Sequence, residues 1–198
     1  MLLKQGWMIG KIITNQTAKE MLEQLGGLSK KRYDGRYLGS AIFSFFEAIP
    51  DKSTREEIVK FLGVDQIDPE RWYDINDVRL IYYYLNNQFG KYTIKQVGRS
   101  IIEHAIFPPE IYNNEDCFGA LKFAYELYAQ GINLGSIKHE ILSEKTAILT
   151  FSTPFPCYLD QGIILGCGDK FGKAVTIEHS DNGCRDQHAE SCTYICTW

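Results

Sequence analysis

Five of the six cysteines, Cys157, Cys167, Cys184, Cys192 and Cys196, fall in the last 42 residues, and only Cys117 lies outside them. Core-filling thiols would scatter along a chain, so the cluster points to ligation. Cys184 and Cys192 enclose seven residues, Arg185 to Ser191, most of them polar. A loop of that length can bring two thiolates to one ion. Cys157 stands at the entrance of a glycine-containing segment, and His179 lies just before the loop. Zinc takes four soft or borderline donors in a tetrahedron, and three cysteines with one histidine are a common structural set. The spacing is not the Cys-x-x-Cys pair of a zinc ribbon, so four buried thiols beside a strand histidine are the competing account.

Other chemistry is absent. No Gly-x-Gly-x-x-Gly, P-loop, Gly-x-Ser-x-Gly or His-Glu-x-x-His motif occurs. Nothing marks a nicotinamide or flavin site, and the chain reads as a binding module more than an enzyme. Asp160, in the first turn of the glycine segment, reads as a carboxylate that complements a helix dipole.

The elements that would position these residues change character along the chain. Leu38, Ile42, Phe45, Phe46 and Ile49 recur at helical spacing before Pro50. Thr54 with Glu57 suggests a capping box, with Ile58, Phe61 and Leu62 as the inward stripe. Asn76 or Asp77 opens a helix carrying Val78, Ile81, Leu85 and Phe89, which Gly90 ends. Asn114 opens another, with Phe118, Leu121, Tyr125 and Tyr128. From Gly135 the period becomes two: 135–142, 146–152, 174–180 and 192–198 read as strands, with a helix over Cys157–Phe171 inserted among them. Alternation sets His179 on the face of Val175 and Ile177. The expected fold is α+β, with N-terminal helices packed on a C-terminal antiparallel sheet of about four strands and one inserted helix. The expected organisation is a single domain over 1–198, mainly helical over 1–134, with the sheet, the glycine helix and the cysteines over 135–198.

Bulk properties narrow the partners. The formal net charge of −4 argues against nucleic acid, whose phosphates need a basic surface. No apolar run approaches the ~20 residues that span a bilayer. Met1 to Ile13, with Lys4, Gly6 and Lys11 and no small-residue cleavage site, does not read as a secretory leader, and a reducing cytoplasm follows as the expected location.

The run Pro156-Cys157-Tyr158-Leu159-Asp160-Gln161-Gly162, then Gly166, Gly172 and Cys184-x7-Cys192, resembles the terminal part of the vinyl-4-reductase-like domain, itself similar in fold to the transport-protein-particle family. The resemblance covers roughly the last 45 to 60 residues. It implies a structural zinc held by Cys157, Cys184 and Cys192. For the fourth donor it implies an acidic strand residue where this chain offers His179, with Glu178 and Asp181 as alternatives. It further implies a non-catalytic carrier, sensor or assembly factor for a hydrophobic aromatic or tetrapyrrole-like molecule, linked to chlorophyll synthesis. Such a module would act as a homodimer or with a protein partner. The expected pocket is walled by Ile81, Leu85, Phe118, Leu121, Tyr125, Gly162, Ile163 and Gly166. Two alternatives stand beside it. One is a component of tetrapyrrole vinyl reduction. The other is a haem-based sensor with His104 as axial ligand, although the Tyr-x-Ser-x-Arg propionate clamp expected there is absent.

Overall fold

The computed structural model describes residues 31–46, 49, 51–181 and 183–198. The leader reading of Met1 to Ile13 lies outside the described residues. In chain order the elements are β1 (Asp34–Leu38), α1 (Gly39–Phe46), α2 (Lys52–Phe61), β2 (Trp72–Asp74), α3 (Ile75–His104), α4 (Asn114–Tyr128), β3 (Ala129–Ile132), β4 (Ile137–Ser143), β5 (Thr146–Phe151), α5 (Cys157–Phe171), β6 (Thr176–His179) and β7 (Cys192–Thr197). The α+β expectation holds. A four-stranded antiparallel sheet runs in the order β4-β5-β7-β6, with α5 inserted between β5 and β6. The mainly helical part also carries a small antiparallel sheet, β2-β1-β3, that hydropathy did not reveal.

Helix starts follow side-chain capping. Asp51, not Thr54, caps α2, its carboxylate accepting from the Thr54 N–H at 2.8 Å and the Thr54 hydroxyl at 2.6 Å. Asp74, not Asn76 or Asp77, caps α3 by accepting from the Asn76 N–H. Gly90 does not end that helix. Its φ of 80° makes a kink, after which the helix resumes as far as His104. A positive φ costs a glycine little, and both halves of α3 bury apolar side chains, from Val78 to Leu85 before the kink and from Ile94 to Ile102 after it.

The second half of α3 crosses α5 at backbone contact. A Cβ on Gly162 would lie 2.3 Å from the Lys95 carbonyl oxygen and 2.9 Å from the Gly98 Cα. One on Gly166 would lie 2.9 Å from the Ile102 Cβ. These two glycines therefore serve helix–helix packing, which corrects their assignment to a ligand pocket. On the sheet, β7 is an inner strand although it comes last, with β5 on one side and β6 on the other. Its buried side chains, Cys192, Tyr194 and Cys196, face Phe151, Leu149 and Ala147 of β5 in register.

Candidate metal centre and apolar chamber

Register and capping bring the four predicted donors together. Antiparallel pairing sets His179 opposite Tyr194, two residues from Cys192. Pro156 and Cys157 start α5, and the Cys184–Cys192 loop folds over a short 3-10 turn, Arg185–Gln187, with Ala189 N donating to the Cys184 carbonyl. The ligand atoms of Cys157, His179, Cys184 and Cys192 all lie within 4.8 Å of one another, with Cys157 and Cys192 buried. Glu178 falls on the exposed face of β6 and Asp181 is exposed; neither belongs to the group, so His179 is the histidine the geometry selects.

The electrostatics suit a cation. His179 Nδ1 lies 2.9 Å from the Ser180 carbonyl, which can only accept, so Nδ1 carries the proton. Its Nε2 is buried and has no partner, an orphaned lone pair of the kind a metal satisfies. Cys192 accepts from the Arg185 backbone N–H at 3.2 Å. Its contact with Cys157, helped by Arg185, pushes the Cys192 thiol down to about 3, while Cys157 is pushed up by that same contact and by burial.

Behind the thiols lies a network that spacing alone did not reveal. Arg185, inside the cysteine loop, donates from Nη2 to Asp160 and from Nη1 to the Thr153 carbonyl, and it reaches the Thr153 hydroxyl at 2.8 Å. Both charged side chains are buried. The Tyr194 hydroxyl lies 3.0 Å from the Asp160 carboxylate and 3.3 Å from the Cys157 sulfur. Burial raises Asp160 to about 7 against the pull of Arg185. Asp160 is thus a core ion-pair partner, which corrects its reading as a helix-dipole carboxylate. The available signal was an arginine set directly after Cys184, inside an otherwise solvated loop.

An apolar chamber of about 300 Å³ lies between the C-terminal end of α3, α4 and the start of α5. Of the residues named from the sequence for a pocket, Leu121, Tyr125 and Ile163 line it, together with Ile102, Phe107 and Phe155. Ile81, Leu85 and Phe118 do not. They are sealed in the core, Phe118 edge-on to Trp198 with ring centroids 5.4 Å apart. Ile106, Phe123 and Leu127 belong to the chamber wall yet are 98%, 64% and 52% exposed, so the chamber opens through an apolar rim. His104, the last residue of α3, is exposed between wall residues Ile102 and Ala105. Its Nδ1 lies 2.9 Å from the Ser100 carbonyl, which leaves Nε2 as the lone-pair nitrogen.

No family model and no curated protein matches the chain. Solved structures do match its fold. An H-NOX protein from S. oneidensis in the Fe(II)NO ligation state is 16% identical, with 80% of this chain and 97% of that chain covered and a TM-score of 0.63. A mutant of T. tengcongensis H-NOX is 15% identical, over 80% and 96%, at 0.61. A structure concerned with haem redox potential and porphyrin distortion is 13% identical, over 81% and 99%, at 0.60. These likenesses overturn the vinyl-4-reductase and transport-protein-particle resemblance, because agreement over four-fifths of the backbone outweighs a local cysteine and glycine spacing. The assignment to chlorophyll synthesis falls with it, as does the zinc-stabilised carrier as principal function. Structural zinc as the defining cofactor is corrected too, since the matched structures name haem and iron.

Proposed function

We propose that this chain is a haem-binding sensory domain in which His104, at the C-terminal end of α3, would hold the iron. The observation that carries the reading is the histidine itself. Its Nδ1–H is fixed on the Ser100 carbonyl, and it stands exposed in sequence between the chamber-wall residues Ile102 and Ala105, in a fold shared with H-NOX structures. A backbone carbonyl on the far ring nitrogen is the usual device for orienting a ligating imidazole and raising its basicity. The rim of Ile106, Phe123 and Leu127 supports a flat ligand larger than the chamber, because such a molecule would cover side chains otherwise left in water. Haem bound there would supply an iron site for diatomic gases, such as the NO and CO named for the neighbouring proteins. Among the described residues no cationic side chain lines the chamber. Titration of the full chain with haemin should give a saturable Soret band. His104→Ala should shift that band and weaken binding, and His104→Gly should recover it with added imidazole. A Soret spectrum unchanged by His104→Ala would refute the assignment.

The four-donor cluster supports a second, separate metal site. Three thiolates and an imidazole fill a tetrahedron and leave no place for a reactive water, so its role would be structural. The unpartnered, buried His179 Nε2 supports this reading. Cobalt(II) added to metal-free protein should produce thiolate charge-transfer absorption that disappears in Cys184→Ser/Cys192→Ser. Retention of the band in that variant would sink the site. A cytoplasmic setting and a homodimer, or a protein partner that reads the bound state, complete the proposal. Among the described residues no helix is long and apolar enough to cross a membrane.

A further inference from the structure

A second cavity, of about 240 Å³, shares Thr153 and Phe155 with the apolar chamber but has a different character. Lys31, Arg79, Arg185 and His188 face one carboxylate, Glu190, which is exposed at its edge. Arg185 is already engaged by Asp160 and by Thr153. Arg79 is less fully engaged. Arg79 is 5% exposed, and its one hydrogen bond among the described residues runs from Nη1 to the Lys31 carbonyl at 2.8 Å. No described carboxylate pairs with it.

The guanidinium is held in place by aromatic faces, 5.3 Å from the Tyr33 ring centroid and 5.6 Å from that of Tyr83. A guanidinium carries five donors in a rigid fork. Here Nε is sealed without a partner, whereas Nη2 is neither sealed nor hydrogen-bonded, so the donor edge left open is the one toward the cavity. A buried cation without a counter-charge is among the costlier arrangements a fold can keep. Lys31, its ammonium 5.1 Å above Tyr33, adds a second positive charge at the same place. His188, on the facing wall, adopts a left-handed backbone with φ of 72°.

We infer that this cavity binds a small oxyanion, a phosphate or a carboxylate, gripped by the fork of Arg79 with Lys31 beside it. The occupant would connect α3 to the Cys184–Cys192 loop, because Arg185, His188 and Ala189 of that loop form the opposite wall. The inference rests on Arg79 and does not depend on the haem reading.

The test is thermal unfolding of the full chain with sodium phosphate and, separately, sodium benzoate, at ionic strength held constant with chloride. At least one anion should raise the unfolding temperature saturably. A response to phosphate alone assigns a phosphate ligand, and a response to benzoate alone assigns a carboxylate. Arg79→Met should abolish the shift. Arg79→Lys, which keeps the charge and loses the fork, should weaken binding roughly tenfold by calorimetry. A shift no larger than that from chloride overturns the inference, as does one that survives Arg79→Met. If Arg79→Met does not fold, unchanged affinity in Arg79→Lys overturns it instead.

Discussion

Removing Arg185 should extend the pH dependence of stability into the alkaline range. The Asp160 carboxyl sits near 7 in the folded protein against an ordinary 3.8, chiefly because it is buried. A group whose folded value is raised favours folding in its protonated form, so stability is lost as pH climbs from about 4 to about 7 and levels off above. At about 1.4 kcal/mol per unit, the loss across that window is about 4 kcal/mol. In Arg185→Met the cation that holds the carboxyl down is gone, and the folded value moves higher. The decline should then continue above pH 7 at up to about 1.4 kcal/mol per unit, reaching an extra ~3 kcal/mol by about pH 9. Near pH 6 both proteins carry a protonated Asp160. There the variant should lack the two bonds to Thr153 and the one to Asp160, a deficit of about 3 kcal/mol. Urea denaturation followed by tryptophan fluorescence, for parent and variant in the same buffers, reads the difference and cancels titrations they share. A deficit that stays constant from pH 6 to pH 9 would refute the argument.

Asp160→Asn should flatten the parent's loss of stability between about pH 4 and about pH 7 in the same urea experiment. Gly162→Ala should cost about 1–3 kcal/mol or more, read as a lowered urea midpoint, because its Cβ meets the Lys95 carbonyl and the Gly98 backbone, neither of which can swing away. Gly90→Ala meets nothing within 4 Å, so thermal unfolding should show only the strain of its backbone, whose φ of 80° and ψ of 171° fall in a region nearly exclusive to glycine, about 1–3 kcal/mol.

What could be read from the chain followed the length of its patterns. The bounds of α5 were legible because Cys157–Phe171 lies between a proline and Gly172, which closes the helix in the left-handed region with φ of 73°. Strict alternation placed His179 inward and Glu178 outward, and the grouping of His179 with the three cysteines followed from it. β2 escaped notice because three residues, Trp72–Asp74, are too few to show a period. The chamber was read only in part. Its wall uses helix ends and the 105–111 connection, where no repeat guides the eye, while Ile81 and Leu85 are apolar because they are core. Asp160 and Arg185 are 25 residues apart in different elements, and nothing local couples them. The family resemblance misled for a related reason. Cysteines with seven residues between them beyond a glycine helix describe how a loop can close on an ion, and unlike folds can share that solution.

The interior position of β7 has a consequence for synthesis. β5 and β6 each bond to β7, yet both leave the ribosome before it does. Until residues 192–197 emerge, the nascent chain holds a β4–β5 hairpin and β6 with an unfilled slot between them, their inward edges open to other strands. The cysteine loop cannot close in that interval, since Cys192 belongs to the missing strand. Sheet completion and loop closure should therefore fall together once residues 192–197 have emerged, and a ribosome stalled just before Cys192 would present an aggregation-prone intermediate.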